Sequence, residues 1–406
     1  MDKQQIQSLW TSAQNSLEGF QKTKSETSRR EALAKLTKLQ RALEQPKDAI
    51  LKLSYQPMVF MALKVAHDMK VFPVLANATS PVSAKQLAAA KPANPLLIER
   101  IMRLLVSFDI VEEPEPGTYL PTAIAKEMVN RPSIGTVESL FCEFLPIMQK
   151  TPEYLEATNY QNPEDPLCSP LQFTHNVQQD GFSWLCEHPD ALIRFNNFME
   201  GQRANRLHWG DWFPMQEQIL AGVDKNPERV LLVDIGGGRG HDLMLFQKRF
   251  PDAPGKLVLE DLPSVIDEAT PELDACGIQG VKYDFFKEPN PVKGARVYYF
   301  KFVFHDWSDE KARVLLNYVI EAMEAGYSKL VIEEYILPDR NAQFLHGTTD
   351  MAVMMFCSGL ERTRQQWKNL LESVGLQPTF WTREGDGLGI IESVLPAANG
   401  TNGAAH

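Results

Sequence analysis

The chain has 406 residues, 44% hydrophobic and 23% charged, with a formal net charge of −11. That length supports two or three domains with large cores, and the acidic balance argues against nucleic-acid binding through a basic surface. No apolar run is long enough to span a bilayer, and "MDKQQIQSLW" lacks the basic, apolar and small-residue order of a secretory leader. Five scattered cysteines, with no C-x-x-C pair, read as reduced thiols of a cytoplasmic protein without structural zinc.

Residues 1–46 are polar and helix-prone. "SRREALAKLTKLQRALEQP" places apolar residues at helical spacing and stops at Pro46. This pattern suits a surface extension and a dimerisation arm equally well. Residues 47–130 are helix-rich. "MVFMALKVAHDMKVFPVLA" reads as an apolar helix, "SAKQLAAA" as a helix capped at Ser83, and "NPLLIERIMRLLVSFDIVEE" as a helix with proline in its first turn running into a strand. "GTYLPTAIAKEM" supplies a returning strand and another helix. Three helices and a hairpin make a winged-helix domain. Its third helix is too apolar for a groove of phosphates and belongs in a core or against a partner subunit.

Residues 131–225 read as a helical connector. In "SLFCEFLPIMQ" and "FSWLCEHPDALIRFNNFMEGQRANRLHWGDWFP", Phe, Met and Trp recur at helical spacing. Such stripes form plain core or line an apolar pocket. From 226 to 396 strands and helices alternate: "RVLLVDIGGG", "KLVLEDL", "VKYDFF", "RVYYFKFV" and "SKLVIEEYI" are strands, with helices such as "HDLMLFQKRF" and "DEKARVLLNYVIEAM" between them. An apolar pair, "PTFWT" and "LGIIESVL", closes the region. The predicted fold is a doubly wound α/β domain with a mostly parallel sheet. The tail at 397–406, "AANGTNGAAH", is predicted to be disordered.

In such sheets the ligand lies beyond the carboxyl ends of the strands, near the first glycine turn. Here that turn is Asp234-Ile235-Gly236-Gly237-Gly238-Arg239-Gly240-His241. A dinucleotide fingerprint needs Gly or Ala where His241 stands, and a phosphate-binding P-loop needs Gly-Lys-Ser/Thr. Asp234, Gly236 and Gly238 instead suit a ligand that combines an amino acid with a nucleoside, because glycine lets backbone groups approach closely. Asp261, at the end of the second strand, can accept from both ribose hydroxyls. Asp284 and Phe285, at the end of the third, offer an acceptor and a ring face to adenine. Each acid alone also fits a solvated loop, but three stand at the ends of three consecutive strands. After the fourth strand, "FKFVFHDWSDE" sets His305 where a buried run meets open space. On residue type alone His305 is a helix-start residue or a catalytic base.

The motifs "VDIGGGRG", "EDLPSVI", "YDFF", "FKFVFHDWSDE", "VIEEYILPD", "TTDMAVMMF" and "GLERTRQQW" follow in family order. Over roughly residues 50–395 the chain resembles the class I S-adenosylmethionine-dependent O-methyltransferases of the plant caffeic-acid type and their fungal natural-product relatives. The resemblance implies a Rossmann-like catalytic domain, S-adenosyl-L-methionine as cofactor and a winged-helix platform that forms a homodimer, and no metal is expected because no His/Asp set has ligand spacing. It implies that His305 is the general base, flanked by Glu334 and Glu361, and that Lys301 lies beside the cofactor. A base is needed because an unperturbed phenol has a pKa of about 10. The resemblance also implies that Asp350 faces the pocket and that Phe198, Met199, Trp209 and Trp212 wall in a small aromatic or polyketide-like acceptor. Some fungal relatives run a pericyclic or dehydration reaction on this scaffold, with the cofactor as a fixed charge. The retained His305, Glu334 and Glu361 favour methyl transfer.

Overall fold

The computed structural model describes residues 3–203, 206–383 and 387–396. The predicted tail at 397–406 lies outside the described residues. The chain folds as two units, Met1–Gln149 with Phe182–Ala204, and Lys150–Gly181 with Asn205–His406. The stretch 131–225, read as one connector, is therefore shared between them.

In the first unit, helices Lys3–Thr23 and Glu26–Leu43 form a hairpin whose turn is capped by Ser25, the acceptor for the Ser28 N–H. Helix Pro46–Asp68 follows, with proline at its start. Helix Ala84–Ala90 carries a capping box between Ser83 and Gln86, and helix Pro95–Val106 is capped by Asn94. Strands β1 (Val82–Ser83), β2 (Val111–Glu115) and β3 (Thr118–Pro121) form an antiparallel sheet in the order β1-β3-β2. This is the predicted winged helix. Ile98, Ile101, Met102 and Leu105 of helix 95–106 pack into its core with Phe72, Leu75 and Leu87. Leu96 and Leu97 stay exposed at the start of the same helix.

The second unit is built on seven strands. They are β4 (Val230–Ile235), β5 (Lys256–Asp261), β6 (Gln279–Lys282), β7 (Val297–Lys301), β8 (Lys329–Tyr335), β9 (Gln377–Thr382) and β10 (Leu388–Val394). Their order is β6-β5-β4-β7-β8-β10-β9, parallel except that β10 runs against both neighbours. The apolar run of β7 has the physical cause expected of a central parallel strand covered on both faces: Val297, Tyr298, Tyr299 and Phe300 are all buried. One face carries Val258, Phe300, Leu315 and Trp367, and the other Leu232, Phe246, Tyr299 and Trp209. Chain order runs outward from β4 through β5 to β6, then resumes on the other side at β7. That reversal opens a crevice at the carboxyl ends of β4 and β7.

Candidate active site

The glycine turn after β4 needs its glycines for two separate reasons. Gly237 covers the buried Asp234 so closely that a Cβ would lie 2.4 Å from Asp234 Oδ2. Gly238 has φ +62° and a Cβ there would meet nothing within 4 Å, so it forms an open backbone cradle. The Gly238 N–H donates to Asp261 Oδ2 at 2.8 Å, and the Leu262 N–H donates to Oδ1 at 2.7 Å. Burial pushes the Asp261 carboxyl up, and these two N–H groups oppose the rise.

Strand β6 ends at Lys282, so Asp284 and Phe285 stand on the turn beyond it. Asp284 Oδ1 accepts from the Phe286 N–H at 3.1 Å, and Oδ2 pairs with Lys287 at 2.9 Å. The rings of Phe285 and Phe286 pack edge-on against Trp307, with centroids 6.1 and 4.5 Å away. The Trp307 indole N–H is buried there with no acceptor among the described residues. An open cradle, a carboxylate held by backbone donors, two aromatic faces and an orphaned donor fit a ligand made of an amino acid, a ribose and a purine.

Lys301, expected beside the cofactor, is held by two carboxylates. Its ammonium donates to Asp242 Oδ1 at 2.7 Å and lies 3.4 Å from Glu333 Oε2, which also accepts the Tyr299 hydroxyl. The lysine thus ties β7 to the first turn of helix His241–Arg249, which follows the glycine loop. Burial pushes Glu333 up, and Lys301 opposes that rise.

His305 lies on a single helical turn, Phe304–Asp306, just past β7. Val303, at the base of this turn, stands so close to the glycine loop that a Cβ on Gly236 would be 3.0 Å from its Cγ2. His305 Nδ1 is 2.8 Å from Glu361 Oε1. Glu334, expected to flank the imidazole, reaches the backbone of the turn that carries it. Its Oε1 accepts from the N–H groups of Val303, Phe304 and His305 at 3.1, 2.6 and 3.3 Å and so fixes the turn. Asp306 Oδ1 is 3.6 Å from His305 Nε2 and accepts from the Cys357 thiol. Asp350 Oδ1 accepts from the Glu361 N–H at 3.0 Å, which places it one step behind the imidazole's partner.

Burial alone would lower the His305 pKa, but Asp306, Glu361 and Glu334 overcome it and hold the imidazole up at about 10. The same burial raises Asp306 to about 6 and Glu334 to about 7, with His305 pulling both back. The site therefore stabilises an imidazolium among carboxylates. Glu361 holds Nδ1 at 2.8 Å, while Nε2 has only Asp306 Oδ1 at 3.6 Å and is the nitrogen more open to proton exchange.

Of the expected wall residues, Trp209 is core and Trp212 is half-buried. Trp209 is fully buried and stacks on Tyr299 at 4.8 Å beneath the sheet. Trp212 packs against the same cluster. The resemblance implied an apolar wall, whereas Trp209 covers this face of the sheet. Phe198 and Met199 lie on helix Pro189–Arg203 in the first unit, where Phe198 packs edge-on against Phe195. His67, Asp68 and Glu138 converge to within 4.8 Å, a grouping invisible in their spacing. Lys64 holds both oxygens of Asp68 at 2.7 Å, so the cluster is knit by ion pairs. Sequence reasoning also passed over Arg362. It is fully buried beside Glu361, and only its place in "GLERT" marked it.

Comparison with known proteins places these features in context. The O-methyltransferase domain profile matches residues 197–377, and the O-methyltransferase dimerisation domain profile matches residues 51–131. The chain is 36% identical to O-methyltransferase asqD of Emericella nidulans, over 83% of this chain and 87% of that protein. It is 32% identical to demethylsterigmatocystin 6-O-methyltransferase of Aspergillus parasiticus, over 81% and 83% of the two chains. Among solved structures, LepI in complex with SAM superposes with a TM-score of 0.85 at 26% identity, covering 96% of this chain and 99% of that one. A structure described as a pericyclic reaction enzyme also superposes at 0.85 and 26%, over 97% and 100%.

Proposed function

The chain belongs to the O-methyltransferase family and is an S-adenosylmethionine-dependent O-methyltransferase, and on that premise we propose that His305 is its general base. The observation that carries this reading is the 2.8 Å contact between Glu361 and Nδ1, on a turn packed against the glycine loop. S-adenosylmethionine supplies an electrophilic methyl group and a fixed positive charge when bound. For that ligand, the Gly236–Gly238 backbone would hold the amino-acid end, with Asp234 buried beneath it. Asp261 would take the ribose, and Asp284 and Phe285 the adenine. Lys301 would brace the helix after the loop through Asp242.

His305 Nε2 takes the proton of the acceptor hydroxyl as the oxygen attacks. Glu361 holds the Nδ1–H and stabilises the imidazolium that forms, and Glu334 fixes the turn that aims it. In the free protein the surrounding carboxylates favour the charged imidazole. The pKa of His305 is expected to fall in the loaded enzyme, because a like charge nearby disfavours a second cation. The acceptor we infer is a hydroxyl on a small aromatic or polyketide-like metabolite. Demethylsterigmatocystin 6-O-methyltransferase supports this class by its name. Within the second unit, Asp350, one step behind His305, is the remaining candidate for its pocket.

A dimerisation domain is present, and we infer a homodimer formed through it. No helix among the described residues is long and apolar enough to cross a membrane, and our reading is a cytoplasmic enzyme.

The test uses S-adenosylmethionine labelled on its methyl group with a panel of phenolic and polyketide hydroxyl compounds. Label should appear in a product and be lost in His305→Ala. A second reading draws on the raised pKa of His305. A held imidazolium suits general-acid dehydration or a pericyclic reaction, with the cofactor as a fixed charge. Tight cofactor binding with conversion of an acceptor but no label transfer would favour it.

A further inference from the structure

We propose that Arg362 is a positioning residue for His305: its buried guanidinium fixes the turn that presents the imidazole, a role that rests on His305 being the base. Arginine is seldom fully buried unless its donors are met. Arg362 is fully buried, and its donors are met in a particular way. Nη1 donates to the Phe304 carbonyl at 2.9 Å, and Nη2 donates to the Trp307 carbonyl at 2.7 Å. Those two residues bracket His305 and Asp306. Nε donates to Asp309 Oδ1 at 2.8 Å, in the first turn of helix Asp309–Ile320, and the guanidinium lies 5.1 Å from the Trp367 ring. One planar fork therefore holds both ends of the catalytic turn and the helix that follows it.

Its neighbours act on the same turn. The Leu360 N–H donates to the His305 carbonyl at 2.8 Å. A Cβ on Gly359 would lie 2.2 Å from that carbonyl oxygen, so only glycine fits. Glu361 takes the imidazole. Four consecutive residues, 359–362, thus grip 304–307 by backbone, ring and flanking carbonyls. A core arginine serving only the fold would have no reason to share its segment with Gly359, Leu360 and Glu361, which all contact His305.

The charge acts in the same direction. Asp306, Glu361 and Glu334 face the imidazole, Asp350 stands behind Glu361, and the Cys357 thiol lies on Asp306. Burial disfavours the Glu334 anion, and Arg362 helps to keep it ionised.

The experiment follows the imidazole directly in full-length protein labelled with [13Cε1]histidine. The His305 resonance is assigned by its absence in His305→Ala. In Arg362→Met the His305 13Cε1 resonance should shift and broaden, because Phe304 and Trp307 are no longer held on either side of it. On methyl transfer, kcat should fall by about tenfold or more, with the S-adenosylmethionine Kd unchanged. Arg362→Lys keeps the charge and loses the fork. Its His305 titration should stay near wild type while kcat falls severalfold. A wild-type kcat in Arg362→Lys overturns the proposal, and so does a His305 resonance identical to wild type in a folded Arg362→Met. If Arg362→Met does not fold, Arg362→Lys decides alone. Methyl transfer surviving in His305→Ala would instead sink the base assignment, which is a separate outcome.

Discussion

The two ends of the site use the same residue types to opposite effect. At the carboxyl end of β5, Asp261 meets backbone N–H groups of Gly238 and Leu262, which favour a carboxylate fixed in place as an acceptor. At the carboxyl ends of β7 and β8, Asp306, Glu334 and Glu361 crowd around an imidazole and hold its pKa at about 10. Asp261 meets only fixed backbone donors, Asp306 and Glu361 meet the imidazole itself, and Glu334 does both, facing the imidazole while accepting from the N–H groups of its turn. Backbone donors are rigid and cannot change charge, so they suit recognition. An imidazole exchanges protons, so carboxylates around it tune a reaction.

This contrast can be broken first at the β7 end. His305→Ala should lower methyl transfer by about 10²- to 10⁴-fold, while S-adenosylmethionine binding measured by calorimetry stays close to wild type. A large loss of cofactor affinity in that variant would mean that the two ends are not separable. The β5 end offers the converse. Asp261→Ala should weaken S-adenosylmethionine by about tenfold, near 1.4 kcal/mol, and leave kcat at saturating cofactor little changed. An unchanged Kd would remove Asp261 from the ribose.

The same division explains what was legible in the sequence. The glycine loop and Asp261 lie within one β-turn-α-β segment, so spacing alone pointed to them, and the alternation of strands and helices gave the sheet. The His305 site draws on positions 305, 334 and 361, which only the fold joins, and residue type alone left His305 open. The resemblance supplied the glutamates but not their division of labour, because Glu334 bonds backbone N–H groups that no side-chain pattern reveals. Trp209 was misread for a related reason. Aromatic residues at helical spacing look alike whether they cover a sheet or line a pocket, and Tyr299 beneath Trp209 decides the matter. Arg362 escaped notice because four acceptors from four separate residues converge on it only in three dimensions.

Glu260 gives the smallest expected effect and the sharpest control on the comparison, since it neighbours Asp261 in β5 yet meets no backbone donor. It is fully buried. Oε2 accepts from Asn290 Nδ2 at 2.5 Å, and Oε1 has no partner among the described residues. Burial raises its pKa to about 8, and Asn290 only partly opposes this. The folded state therefore keeps a proton that the unfolded chain loses above its ordinary value of 4.5. Between those two values the unfolded state binds fewer protons, so stability falls as pH rises, and above about 8 the penalty is complete. Glu260→Gln keeps the acceptor for Asn290 and removes the titration. Its melting temperature should match wild type near pH 5 and exceed it by about 3 °C or more at pH 9, with methyl transfer at neutral pH unaffected. A difference that does not grow with pH would show that Glu260 is already ionised in the fold. Burial beside a binding carboxylate would then leave a neighbouring acid unperturbed even without donors.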